Sequence, residues 1–153
     1  MPMVDVFSKQ ERSEIMARVR GTHTTPEKTV RTFLRKSGFR LRLYVASLPG
    51  KPDILVPECR AALFVNGCFW HGHLGCKRAV LPATRTAFWR AKIAGNVLRD
   101  RRNNITLKRM GWHVITIWQC QLTPKKVQTR FKSLLARLRL LAKAHQLDDP
   151  GRR

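Results

Sequence analysis

The chain has 153 residues, 43% of them hydrophobic, and its 31 Lys and Arg residues outnumber nine Asp and Glu to give a formal net charge of +22. This length suits one compact domain, and the apolar content is sufficient for a buried core, which excludes a wholly disordered protein. The charge indicates a polyanionic partner. Nucleic acid is favoured over a lipid surface, because no basic amphipathic helix with an aromatic face stands out.

The distribution of apolar residues predicts where the protein acts. No uninterrupted apolar run approaches the roughly 20 residues that a membrane span needs. The first residues, MPMVDVFSKQERSE, contain acids where a signal peptide would need an apolar stretch. We therefore expect a cytoplasmic protein, associated with the DNA of the nucleoid and not with a membrane. Because the cytoplasm is reducing, the four cysteines are expected to be metal ligands or core residues, not disulfide partners.

Two helix signals open the chain. Ser8 and Glu11 have the spacing of a capping box, which predicts a first helix over about residues 8–20. Thr25 followed by Pro26 is typical of an N-cap and a first helical position, and predicts a second helix.

Strand signals follow the second helix. The alternation in FRLRLYV, residues 39–45, predicts a half-buried strand. Short apolar runs at 53–56 and 61–65 predict two buried strands, and WHVITIW at 112–118 predicts a fourth strand. A long helix is predicted between the last two strands, over about 86–110.

The C-terminal part predicts a basic helix over about 124–145, opened by Thr123 and Pro124. A disordered tail is expected over 148–153. Because no repeat or linker interrupts the pattern, we expect a single α/β domain over 1–147 with the element order α-α-β-β-β-α-β-α.

An irregular segment at 66–87 is rich in Gly, Cys, His and Trp. Three of its residues have the close C-x4-H-x2-C spacing of a zinc clip: Cys68, His73 and Cys76. A fourth ligand must come from elsewhere. Cys120, just after the last predicted strand, is favoured over its rival Cys59, which precedes a buried strand and is typical of a small core residue. The spacing predicts a structural zinc site.

Acidic residues are scarce, and between Glu58 and Asp148 the only one is Asp100. Carboxylates repel phosphate, so isolated carboxylates in a DNA-binding protein indicate ligands for a divalent cation. Asp53 and Asp100 are the first candidates for a nuclease site, and Glu27 is the next.

The same loop contains a histidine and two aromatic residues outside the zinc pattern. On a loop fixed by metal, His71 is a candidate general base, because an imidazole titrates near neutrality. Phe69, Trp70 and the more distant Trp89 are candidates for a wedge that opens a base step, although aromatic side chains more commonly fill a core.

Five motifs in order resemble those of very short patch repair endonucleases: EIMARVRGTHTTPE, ASLPGKPDILV, FVNGCFWHGH, PATRTAFWRAKIAGNVLRDRRN and GWHVITIWQC. The resemblance covers about residues 8–122. It implies a restriction-endonuclease-like fold, with a central mixed β-sheet flanked by helices. It also implies Mg²⁺-dependent hydrolysis that nicks double-stranded DNA 5′ to the thymine of T·G mismatches left by deaminated 5-methylcytosine. We expect a monomer, with other repair proteins as further candidate partners.

The resemblance also implies roles for single residues. Asp53 matches the magnesium-binding aspartate, Val65 the position whose backbone carbonyl helps to hold that metal, and Glu27 a helix-borne acid near the metal. His71 matches the general base, and Asp100 the acid that orients it.

The remaining matches concern zinc and DNA. The zinc ligands implied are Cys68, His73, Cys76 and Cys120. Phe69, Trp70 and Trp89 match the aromatic wedge that enters from the major groove, and Met16 matches its partner from the minor groove.

One position departs from the pattern. Asn66 stands where the best-known members have a second active-site histidine, and it can bond a phosphate oxygen but cannot carry a proton. The lysine that the wider nuclease superfamily has after its aspartate is also absent, which makes His71 more critical.

Two other classes of protein explain part of the sequence. A non-catalytic zinc-bearing DNA-binding module would account for the charge, the zinc pattern and the aromatic residues, but not for Asp53 and Asp100. A restriction nuclease of the same fold, acting on normal sites, would account for these acids but gives no role to the wedge residues.

Overall fold

The computed structural model describes residues 8–18, 21–149 and 151. These residues form helices and strands in the predicted order, α-α-β-β-β-α-β-α. The helices are α1 (Lys9–Arg18), α2 (Thr25–Lys36), α3 (Thr86–Arg109) and α4 (Val127–Asp148), and the strands are β1 (Arg42–Leu43), β2 (Ile54–Val56), β3 (Ala61–Asn66) and β4 (His113–Trp118). Short 3-10 turns lie at Pro57–Cys59, Lys77–Ala79 and Gln119–Leu122.

The four strands form one mixed sheet in the order β1-β2-β3-β4. The first two pairs are antiparallel, and β3 pairs with β4 in parallel. The parallel pair has Ala61 opposite His113 and Asn66 opposite Trp118. Since parallel neighbours need a long crossover, the chain between them supplies both the irregular loop and α3.

The main core lies between one face of the sheet and the helices α2 and α4. Its buried residues are Val30, Leu34, Ile54, Val56, Cys59, Ala61, Leu63, Val65, Ile115, Ile117, Phe131, Leu134 and Leu138. Phe33 of α2 stacks on Phe131 of α4 with ring centroids 4.1 Å apart, which joins the two helices over the sheet. A smaller cluster of Leu55, Ala62 and Leu107 fills the other face beneath α3. Helices cover both faces, which confirms the predicted sheet flanked by helices.

The N-terminal capping box is present as predicted. The Ser8 N–H donates to the Glu11 carboxylate (2.8 Å), and the Glu11 N–H donates to the Ser8 hydroxyl (3.2 Å). Helix α1 is described to Arg18, and residues 19–20 of the predicted helix lie outside the described residues.

The predicted cap of α2 is wrong by one residue. Thr24, not Thr25, is the N-cap, and its hydroxyl accepts a hydrogen bond from the Glu27 N–H (3.4 Å). Two adjacent threonines are chemically equivalent as caps, so the sequence alone does not distinguish them.

Strand β1 is much shorter than the predicted span 39–45. Only Arg42 and Leu43 pair with β2, because Tyr44 adopts a left-handed conformation with φ of 47° that ends the strand.

The C-terminal helix begins later and ends later than predicted. The Thr123 carbonyl accepts from the N–H groups of both Lys126 and Val127, a turn that precedes the helix proper. Helix α4 includes Asp148, the first residue of the predicted tail, and residues 150, 152 and 153 lie outside the described part of the chain.

Two side chains bond main-chain groups near the end of β4. Arg130 donates to the Thr116 carbonyl (3.2 Å) and to the Gln121 side-chain oxygen (3.1 Å). The same Gln121 oxygen accepts from the Trp118 N–H (3.0 Å).

Among the described residues, no helix is long and apolar enough to span a membrane.

Candidate active site and metal centre

A cleft of about 860 Å³ opens where β3 ends. Its walls come from the start of α2, the segment between β1 and β2, the end of β3 and the middle of α3. Among its lining residues are the predicted catalytic and magnesium-binding positions Glu27, Asp53, Val65, Asn66, His71 and Asp100. Residues that are up to 73 positions apart in the sequence (27 to 100) thus share one space.

Asp53 lies immediately before β2 and faces the end of β3. Antiparallel pairing of these strands brings it to Val65, whose N–H donates to Asp53 Oδ2 (2.8 Å). Burial raises the pKa of the Asp53 carboxyl to about 6, and the negative charge of Glu27 adds to the rise, while the Val65 N–H, His71 and Arg31 oppose it. A carboxylate that is buried beside a second carboxylate is stabilised by a cation.

His71 and Asp100 form a pair across the loop and α3. Their Nδ1 and Oδ2 atoms are 2.6 Å apart, with both side chains about 30% exposed. Gly72 allows the loop to lie against α3, because a Cβ at this residue (φ 59°) would be 2.9 Å from a methyl group of Val97. With Nδ1 bonded to the carboxylate, Nε2 of a neutral His71 is the nitrogen that can accept a proton.

Glu27 and Asn66 are both buried at the cleft. Glu27, in the first turn of α2, is 3% exposed, and its Oε2 accepts hydrogen bonds from the His23 N–H (2.9 Å) and from the Tyr44 hydroxyl. Asn66 is the last residue of β3 and is 8% exposed.

Four predicted ligands come together beside this cleft. The ligand atoms of Cys68, His73, Cys76 and Cys120 all lie within 4.8 Å of one another. The strand register explains why Cys68 and Cys120 lie close together. Asn66 pairs with Trp118, and each cysteine lies two residues after the paired residue of its own strand. Three thiols and an imidazole at this spacing can hold a metal ion.

Two further contacts concern this cluster. The His73 ring stacks on Trp118 with centroids 4.1 Å apart and planes at 5°, which fixes the imidazole. Cys59 lies elsewhere, fully buried, and its thiol donates to the Leu138 carbonyl (3.2 Å). The structure therefore groups Cys120, and not Cys59, with the loop ligands.

The three predicted wedge residues also meet. Phe69, Trp70 and Trp89 pack edge to face, with centroids 5.2 to 5.9 Å apart, and all three remain partly exposed. The Trp70 carbonyl accepts from the Asn96 side chain (2.9 Å), which ties the loop to α3. Met16 lies on α1, is 37% exposed and is not among the residues that line the cleft.

Several residues of this site were not predicted from the sequence. Phe88 is 44% exposed, packs on Trp89 at 5.2 Å and lies under the Arg85 guanidinium at 4.3 Å. Its position next to Trp89 in the sequence AFW could have indicated that it belongs to the aromatic cluster. Tyr44 and His23 were missed because their contacts with Glu27 join separate parts of the chain.

The fold and the cleft define a nuclease, in which carboxylates and an imidazole converge at the edge of a mixed sheet in a strongly basic domain.

Comparison with known proteins specifies the family. The family model for the DNA mismatch endonuclease Vsr matches residues 4–78. The type II nicking enzyme V.XorIIP of Xanthomonas oryzae pv. oryzae is 43% identical over 134 residues, which are 87% of this chain and 98% of that protein. The DNA mismatch endonuclease Vsr of Escherichia coli strain K12 is 42% identical over 127 residues, 83% of this chain and 81% of that protein. The chain belongs to the Vsr family of DNA mismatch endonucleases.

Membership in this family confirms three expectations from the sequence. The fold is restriction-endonuclease-like, the protein is a hydrolase, and it is an endonuclease of DNA mismatch repair. A purely DNA-binding module is thereby excluded.

We expect the Cys/His cluster to bind a metal ion, and replacing one of its ligands should remove that ion. We expect Cys120→Ser to reduce the metal content from about one equivalent per chain to a small fraction and to lower the Tm, because binding at such sites is coupled to folding. Elemental analysis and thermal melting measure both effects. Cys59→Ser is the matched control and should retain the metal; loss of metal in that variant alone would assign the fourth ligand to Cys59.

Proposed function

We propose that this protein, as a single nuclease domain over residues 1–147, nicks double-stranded DNA on the 5′ side of the thymine in a T·G mismatch. The observation that carries the proposal is the composition of the cleft. Asp53 and His71, which are suited to phosphodiester hydrolysis, share it with Trp70 of the aromatic cluster. A site built in this way can recognise an opened base step and hydrolyse the adjacent phosphodiester.

The donor set at Asp53 fits Mg²⁺. The ion prefers oxygen ligands, and the Asp53 carboxylate and the Val65 backbone carbonyl are the residues we assign to hold it. The raised pKa of the buried Asp53 carboxyl, with Glu27 nearby, supports a cation at this position. When bound, Mg²⁺ would neutralise charge that develops on the scissile phosphate.

His71 is the proposed general base. Its Nε2 takes a proton from the attacking water, and Asp100 holds the imidazole through Nδ1 and stabilises the imidazolium that forms. Asn66 lines the same cleft and can donate a hydrogen bond to a phosphate oxygen. Proton transfer is therefore assigned to His71 alone.

The metal of the Cys/His cluster is proposed to be structural zinc. Three cysteines and one histidine are typical zinc ligands, and four protein ligands leave no position for a substrate. Cys68 and His73 flank the segment that carries Phe69, Trp70 and His71. Zinc would thus fix the base and part of the wedge in one rigid loop.

Mismatch selectivity is assigned to the aromatic cluster. Phe69, Trp70 and Trp89 would stack into the opened step from the major groove, and Met16 would enter from the minor groove. A T·G wobble costs less to open than a matched pair, so the wedge favours the mismatch. The basic surface would bind phosphates without regard to sequence.

Two duplexes that differ only in one T·G pair test the proposal. In Mg²⁺, the protein should nick only the mismatched duplex, in the thymine strand, and a chelator should stop the reaction. Cutting of both duplexes at one sequence would instead indicate a restriction nuclease. Absence of nicking in either duplex would contradict the proposal.

Removing the Asp53 carboxylate should separate binding from hydrolysis. We expect Asp53→Ala to lower the nicking rate by at least about a thousandfold, since the main metal ligand is lost. Binding of the mismatched duplex should persist, because a charge that repels phosphate is also removed. Gel-shift affinity and single-turnover nicking on one labelled duplex measure the two effects. Asp148→Ala removes the same charge from the end of α4 and should behave as wild type.

Removing one wedge residue should reduce discrimination. Each stacked aromatic contributes about 1–3 kcal/mol, so Trp70→Ala should lower the affinity ratio between T·G and matched duplexes by roughly tenfold. Lys132→Ala, an exposed cation on α4, should weaken both complexes about equally. An equally stable Trp70→Ala protein with an unchanged ratio would rule out this role for Trp70.

A further inference from the structure

Tyr44 is a residue of the cleft for which the sequence patterns predicted no role. It follows β1 in a left-handed conformation and lines the cleft. Its hydroxyl accepts a hydrogen bond from the His23 N–H (2.5 Å) and donates one to Glu27 Oε2. Because a backbone N–H can only donate, the single hydroxyl proton of Tyr44 is directed at the carboxylate.

The Tyr44 ring is itself held in place. The His23 ring packs against it edge-on at 4.8 Å, and the Lys51 ammonium lies 5.8 Å from its centroid. The guanidinium of Arg31, a residue only 6% exposed, lies 6.0 Å from the centroid and also reaches His23 Nδ1 at 3.2 Å. The hydroxyl is therefore a preorganised donor.

In both Glu27 and Asp53, the side-chain hydrogen bonds with described residues use only one of the two carboxylate oxygens. Within the described residues, the donors to Glu27 both reach Oε2, and the donor to Asp53 reaches Oδ2. Each acid thus keeps one oxygen for a ligand in the shared cleft. The two charges are close enough for Glu27 to raise the pKa of Asp53.

We propose that Tyr44 is a positioning residue whose hydroxyl holds Glu27 with its second carboxylate oxygen directed at the cation beside Asp53. This inference rests on the proposed magnesium site. Glu27 then contributes to cation binding at a fixed distance from Asp53, either directly or through a metal-bound water. Tyr44 thus acts through Glu27 and not on the reacting atoms.

Tyr44→Phe tests the inference, because it removes the hydroxyl and keeps the ring. Loss of a hydrogen bond to a charged group should weaken Mg²⁺ binding by roughly tenfold. Calorimetric titration of the DNA-free protein with MgCl₂ measures this directly. In nicking assays, the half-saturating Mg²⁺ concentration should rise by a similar factor, while the KM for the mismatched duplex stays unchanged.

Two further variants separate positioning from a general structural effect. Thr29→Val removes a hydroxyl on α2 that bonds the Thr25 carbonyl (2.9 Å), and should leave Mg²⁺ binding unchanged. In a Glu27→Gln background, Tyr44→Phe should have little additional effect on Mg²⁺ affinity, because both changes act through one carboxylate.

Each outcome decides the inference. A folded Tyr44→Phe protein with wild-type Mg²⁺ affinity would overturn it and leave the proposed function intact. A Tyr44→Phe protein that fails to fold would also overturn it, since the hydroxyl would then hold the fold instead of one side chain. Wild-type protein that neither binds Mg²⁺ nor nicks in its presence would overturn the proposed function as well.

Discussion

The parallel pairing of β3 with β4 is the constraint on which the site depends. Its six-residue register places Asn66 beside Trp118, so the chain leaves both strands at the same edge of the sheet. Cys68 and Cys120 then meet two residues further on. The antiparallel pairing on the other side of β3 sets Asp53 against Val65. One central strand thus positions the Asp53 carboxylate and the Cys/His cluster together, and a shift in its register would separate them.

The segment after β3 brings together residues to which we assign separate functions. Three of the four cluster ligands, His71 and two aromatic residues lie within nine positions of the chain, and Asp100, Asn96 and Gly72 connect this segment to α3. The loop has little hydrophobic core of its own, because Leu74 at its tip is 93% exposed. Its shape therefore depends on the contacts with α3 and on the packing of the Cys/His cluster.

Local patterns predicted the features that depend on neighbours in sequence. The Ser8–Glu11 capping box, the buried strands and the close spacing of Cys68, His73 and Cys76 fall in this group. Among contacts across the fold, the place of Cys120 beside the loop cysteines followed from its position after the last predicted strand. The pairing of His71 with Asp100, 29 positions apart, was accessible only through the family resemblance. The contact of Tyr44 with Glu27 was accessible by neither route. The alternating pattern at 39–45 predicted a strand through Tyr44, but this residue has a left-handed conformation. Its hydroxyl bonds two groups near the start of α2, the His23 N–H and the Glu27 carboxylate.

The side chains at the outer edge of β4 affect how this protein can meet another chain. An edge strand normally offers free N–H and C=O groups on which a further strand can assemble. The Thr116 carbonyl and the Trp118 N–H are already bonded, by Arg130 and Gln121 respectively. A further strand could pair with these two groups only by displacing the side chains, which disfavours sheet extension at this end of β4. A partner that docks here would therefore meet side-chain contacts in place of two main-chain hydrogen bonds.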